Sequence, residues 1–174
     1  EAQDVKGFTA LQYCANCGYL EVVKTLLALG ADVNAAYQDG STALHFATAK
    51  GHDDVVTVLI NAGANINAQD DDGDTALIVA CTMGQYEVLE ILLARGASTT
   101  KQDANGNTAL NIACGQGSLD MVEALLNEDA DVDTPNDAGI SPLHCASLGE
   151  HLDIVSLLLA FGASPNTVTG LGNT

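Results

Sequence analysis

Asp39-Gly40-Ser41-Thr42-Ala43-Leu44-His45-Phe46-Ala47 decides the fold, because most of this stretch returns at a fixed distance along the chain. Thr9, Thr42, Thr75, Thr108, Ser141 and Thr174 stand 33 residues apart. Two residues before each is a glycine: Gly7, Gly40, Gly73, Gly106, Gly139 and Gly172. Two residues after the first five is a leucine: Leu11, Leu44, Leu77, Leu110 and Leu143. Paired leucines keep the same register at Leu26-Leu27, Leu92-Leu93, Leu125-Leu126 and Leu158-Leu159, with Leu59-Ile60 in the second copy. No insertion or deletion breaks the period, so the chain is an array of one repeated supersecondary unit.

Working outward from the quoted stretch, each repeat has a physical reading. The segment before the threonine, such as Asp70-Asp71-Asp72-Gly73, is a turn whose glycine takes a positive φ. The threonine or serine that follows is an N-cap, its hydroxyl accepting from a free amide of the first helical turn. In the fifth repeat Pro142 comes next, where proline suits the first helical position. Leu11, Cys14 and Ala15 then fall at spacings of three and four, the apolar stripe of a short helix that stops at Gly18. A second helix follows with Val22, Val23, Leu26 and Leu27. Its first turn carries an acid in every repeat, Glu21, Asp54, Glu87, Asp120 and Asp153, placed to meet the helix dipole. One turn and two short helices cannot bury their own apolar face, so the repeats must stack. Two departures stand out. Asp129 replaces the glycine that closes the second helix, and Glu150 replaces the glycine between the helices, with Gly149 one residue early. The sequence predicts a rebuilt turn there.

The stretch from Asp39 to Ala47 resembles the ankyrin repeat, whose period is also 33. Gly30-Ala31-Asp32-Val33-Asn34-Ala35 and Gly63-Ala64-Asn65-Ile66-Asn67-Ala68 resemble the ending of that repeat. The resemblance covers the whole chain. It implies an all-α ankyrin-repeat solenoid of stacked helix-turn-helix units joined by β-turn hairpin loops. Five full repeats are expected at 4–36, 37–69, 70–102, 103–135 and 136–168, forming one domain over 1–174. Residues 1–3 then read as the tail of a preceding repeat and 169–174 as the start of a further one, so a fragment of a longer array is expected.

Composition narrows the partners. The 174 residues hold 23 acids against 5 bases, a net charge of −18, and 47% hydrophobic residues. That is enough apolar material for a core and the wrong sign for a phosphate backbone or an anionic membrane, so neither nucleic acid nor membrane is expected as partner. No apolar run approaches the ~18 residues of a membrane-spanning helix. Five cysteines, an odd number, argue against a closed disulfide framework and for a reducing cytoplasmic or nuclear location. Cys14 and Cys17 form a C-x-x-C, but no second pair exists to complete a zinc site, and buried packing is the better reading.

A search for chemistry finds little. His45 and His144 share one slot three repeats apart, which places them ~30 Å from each other if packed helices sit ~10 Å apart, too far to share a metal. In the family this histidine is a structural hydrogen-bonder, and Gln12, Ile78 and Asn111 fill the slot elsewhere. The acidic run Asp70-Asp71-Asp72-Gly73-Asp74, aligned as a calcium loop on Gly73, lacks acids at Ala68 and Val79. No phosphate-binding glycine loop or nucleophile elbow is present. No cofactor, no metal and no catalytic constellation is expected.

What remains is surface. The resemblance implies that hairpin tips and the open side of each first helix form a concave protein-binding face. Carried over position by position, the candidate binding residues are Lys6, Phe8, Asp39, Ser41, Lys50, Asp71, Asp72, Asp74, Met83, Asn105, Asn107, Gln116 and Ile140. Phe8, Met83 and Ile140 are apolar where water is expected, and such groups rimmed by polar ones mark contacts. Residues 102–174 hold ten acids and no Lys or Arg, so a partner protein or peptide with a basic segment is favoured. The expected function is a non-enzymatic protein–protein interaction module within a larger scaffold or regulatory protein. The alternative is a structural spacer with no groove ligand of its own.

Overall fold

The computed structural model describes residues 8–166. Its contacts gather into two compact units, Glu1–Ala97 and Ser98–Thr174. The first unit contains α1 (Ala10–Cys17), α2 (Leu20–Ala28), α3 (Ala43–Ala49), α4 (Asp53–Asn61), α5 (Ala76–Met83) and α6 (Tyr86–Ala94). The second contains α7 (Ala109–Gln116), α8 (Leu119–Asn127), α9 (Pro142–Leu148) and α10 (Leu152–Ala160). Among the described residues the regular structure is helical, with one isolated bridge between Gln102 and Thr108.

Within the first unit α3 packs between α1 and α5, and α4 between α2 and α6, while each odd helix also packs on the even helix that follows it. The second unit repeats this with α7 on α9 and α8 on α10. The core of each unit is the stripe the sequence marks: Leu11, Ala15, Val23, Leu44, Val55 and Leu59 in the first, and Leu110, Ala113, Val122, Leu125, Ile154 and Leu158 in the second, each at most 1% exposed. A fully buried leucine or valine contributes about 1.5–3 kcal/mol, which is how helices of seven to nine residues persist although each is too short to be stable alone.

The caps follow the sequence. Thr9, Thr42, Thr75, Thr108 and Ser141 are the N-caps of α1, α3, α5, α7 and α9, and Pro142 opens α9. The even helices carry Glu21, Asp53 and Asp54, Glu87, Asp120 and Asp153 in their first turns. The expected rebuilding after α9 does not occur. Glu150 itself takes the left-handed conformation, φ 57°, while Gly149 stays helical at φ −83°. Gly51 takes φ 68° in the corresponding place after α3, so the turn is kept and a side chain bears the strain. Asp129 does the same at φ 56° after α8.

Candidate functional site

The described candidate residues sit on the loops that precede the odd helices and at the C-terminal ends of those helices. The loops before α3, α5, α7 and α9 are short hairpins closed by their own backbone. In the first unit Tyr37 N–H donates to the Ser41 carbonyl (2.8 Å) and Asp70 N–H to the Asp74 carbonyl (3.1 Å). In the second unit Asp103 pairs with Asn107 (2.9 Å) and Asn136 with Ile140 (3.0 Å) in the same way. A side chain at the first position staples three of these loops. Asp70 Oδ1 accepts from the amides of Asp72 (3.1 Å) and Asp74 (2.9 Å). Asp103 Oδ1 accepts from Asn105 and Asn107, and Asn136 Oδ1 from Ala138 and Ile140. Tyr37 cannot do this, and Asp39 Oδ1 takes the Ser41 amide instead (2.9 Å). Sequence reasoning credited these turns to glycine and missed the staple; the signal was the Asp or Asn three residues before the glycine.

Neighbouring hairpins are then joined tip to tip. Asp71 N–H donates to the Asp39 carbonyl (2.8 Å) in the first unit, and Asp137 N–H to the Asn105 carbonyl (3.0 Å) in the second. A second tie runs from the first helices. Gln12 Nε2 donates to the Ala35 carbonyl at 2.8 Å and reaches the Ser41 carbonyl at 3.5 Å. His45 Nε2 spans Ala68 (3.2 Å) and Asp74 (3.0 Å), and Asn111 Nδ2 spans Thr134 (3.4 Å) and Ile140 (3.3 Å). The tips are therefore held rigidly from below.

This scaffolding sorts the candidates. Asp39, Asp71 and Asp72 are exposed on adjoining tips of the first unit, and Asp71 and Asp72 enter no ion pair among the described residues. Lys50 is exposed at the end of α3 and Met83, 54% exposed, at the end of α5. Asn105 and Gln116 are exposed in the second unit. Ser41, read from the sequence as a tip, is buried, its carbonyl facing Gln12 and its amide held by Asp39, and it offers no free surface. Asp74 is half-buried, with its amide on Asp70 and its carbonyl on His45. Asn107 is half-buried between Asp103 (2.9 Å) and Asn136 (2.8 Å). Ile140 is half-buried, with both backbone groups used by Asn136 and Asn111. Phe8, expected to face water, packs against Tyr37 and Phe46 with ring centroids 4.3 and 5.0 Å away. Lys6 lies outside the described residues. Leu148, which the register places on the groove side of the fifth repeat where other repeats carry small or polar residues, is 77% exposed in the second unit; Leu152, 78% exposed, was not among the candidates.

The titratable groups here are tuned by burial more than by charge. Desolvation lowers His45 below its ordinary value and outweighs the raising influence of the Asp74 carbonyl and the Asp70 and Asp39 carboxylates. Burial pushes the Cys81 thiol up to about 12 and raises Cys14 and Cys145 as well. These thiols are inert small hydrophobes rather than nucleophiles. Among the described residues no group of three His, Cys, Asp or Glu side chains is placed to hold a metal ion, and no helix is long and apolar enough to cross a membrane. The first unit presents carboxylates, the Lys50 ammonium and the Met83 thioether on these hydrogen-bonded loops and helix ends, and the second presents the Asn105 and Gln116 amides.

Comparison with known families agrees with this geometry. A family model described as ankyrin repeats (3 copies) matches residues 35–103 and 92–169, and one described as ankyrin repeat matches residues 6–37. No curated protein matches the sequence at a significant level. Ankyrin repeats are generally protein–protein interaction modules. With most of the sequence matched, the chain belongs to the ankyrin-repeat family.

Proposed function

We propose that the chain is a non-enzymatic binding module of a larger scaffold or regulatory protein, gripping a partner protein through its hairpin tips and the ends of its first helices. Asp39, Asp71 and Asp72 carry this reading: three exposed carboxylates sit on tips joined by the Asp71–Asp39 backbone bond, with Met83 and Lys50 exposed in the same unit. Because the tips are already fixed, binding orders little new chain, and that lowers its entropic cost. The partner is a protein or peptide with a basic segment, drawn by the −18 net charge and held at the carboxylates. We further read one 33-residue repeat for each helix pair, five in all. We place the protein in a reducing compartment, cytoplasmic or nuclear, where five free thiols persist.

The test is affinity capture from a cell lysate across a salt series, followed by measured affinities for the captured protein. Asp71→Lys with Asp72→Lys should weaken binding about tenfold or more at low salt, and wild-type binding should fall as salt rises. Glu87→Lys, at the start of α6, should leave it within about twofold. A partner indifferent to both changes would point instead to a spacer.

A further inference from the structure

His45 joins two hairpins through a ring that is 4% exposed. The Thr42 amide donates to Nδ1 at 3.1 Å, so Nδ1 carries the lone pair and the ring proton sits on Nε2. The Thr42 hydroxyl also lies 2.9 Å from Nδ1. Nε2–H is shared between the carbonyl of Ala68, two residues before the hairpin that carries Asp71 and Asp72, and that of Asp74, the last residue of the hairpin. The same slot holds an amide in two other repeats, Ile78 in the third and His144 in the fifth. Gln12 accepts the Thr9 amide at 2.9 Å and donates to Ala35, and Asn111 accepts the Thr108 amide at 2.9 Å and donates to Thr134 and Ile140. An amide makes these bonds and does not titrate, whereas imidazole does so near neutrality. Among the described hairpins, the one richest in exposed acid is therefore tied down by a titratable group.

We propose that His45 is an acid-sensitive latch on this hairpin: a proton taken from solvent onto Nδ1 removes the acceptor that the Thr42 amide uses, the charged ring leaves its slot, and the Ala68 and Asp74 carbonyls are released. The surroundings define the balance. Asp70 and Asp39 face the ring and favour its charge, while burial opposes it more strongly. From α1 and α5, which pack against α3, the buried titratable groups are the Cys14 and Cys81 thiols, both raised by burial and neutral in acid. At the start of α4, Asp53 and Asp54 are exposed, and the capping residue His52 has its Nε2 on the Asn16 carbonyl. Release of the hairpin loosens the carriage of Asp71 and Asp72, and so weakens the grip on a basic partner; this last step rests on the proposed function.

The experiment is amide hydrogen exchange of the 174-residue chain at about pH 7.5 and about pH 5.5, corrected for the intrinsic pH dependence of exchange. Protection in the Asp70–Asp74 hairpin should fall at least about fivefold more than in the Asn136–Ile140 hairpin, which Asn111 ties. His45→Gln, and separately His45→Asn, should abolish the difference. Equal responses of the two hairpins in the wild type, or an unequal response that survives either substitution, would overturn the latch. The internal hairpin comparison keeps the test decisive if a variant fails to fold. Polylysine affinity is read in parallel. A hairpin that loosens while polylysine binding holds steady would leave the latch standing and count against the proposed use of Asp71 and Asp72.

Discussion

Thr48 shows how much one atom matters in a stacked array. Its side chain is fully buried in α3, and its hydroxyl oxygen has no hydrogen-bond partner. Cys81 occupies the same place 33 residues on, where a thiol needs no partner. Thr48→Val keeps the shape and removes the orphan, and should raise the unfolding free energy by about 1 kcal/mol in urea titration; Cys81→Thr should lower it comparably. His45 makes the stability depend on pH. Its folded-state value lies below the ordinary 6.5, so the unfolded chain takes up the proton first as pH falls. Its contribution is fully present above about pH 6.5, and is lost as pH drops from there through the folded-state value. Urea midpoints at about pH 7.5 and about pH 5.5 should differ in the wild type and converge in His45→Gln. Residues of this kind were only half legible. The recurrence of one slot showed that His45, Gln12 and Asn111 share a place, but that an amide and an imidazole make the same bonds there is a matter of three-dimensional geometry.

At the scale of the element, caps and turns carry the design. Gly18, after α1, has φ 71°, and a Cβ there would fall against the His52 ring, whose Nε2 serves the Asn16 carbonyl (3.2 Å). Gly30, after α2, has φ 85° and open space around it. Gly30→Ala should therefore cost about 1 kcal/mol from the backbone alone, and Gly18→Ala about 2 kcal/mol or more, because His52 is displaced as well. The reverse holds where a side chain bears positive φ. Glu150→Gly should stabilise by about 1 kcal/mol and Asp129→Gly by less, since aspartate tolerates that region better. Thermal or urea unfolding of the four variants checks the order. Helix ends were readable because capping uses a few residue types at fixed offsets. The burial of Ser41, Asp74 and Asn107 was not, because it arises from neighbouring hairpins and first helices closing on each other, which a single repeat does not reveal.

For the whole molecule, charge dominates. With 23 acids against 5 bases the folded chain repels itself, and the Lys24–Glu21 pair is exposed and worth little. Raising salt from about 0.02 M to about 0.5 M should raise the melting temperature, since screening relieves that repulsion. The partner was never legible: stacking requires the period, while nothing about stacking fixes what stands on the tips. The most direct measurement is carbodiimide footprinting of carboxylates, free and bound to a captured partner. Asp39, Asp71 and Asp72 should be protected in the complex, with Glu21, Asp54, Glu87 and Asp120 at the starts of the second helices left reactive. Protection confined to the second helices, with the hairpin aspartates as reactive as in the free chain, would contradict binding through the tips.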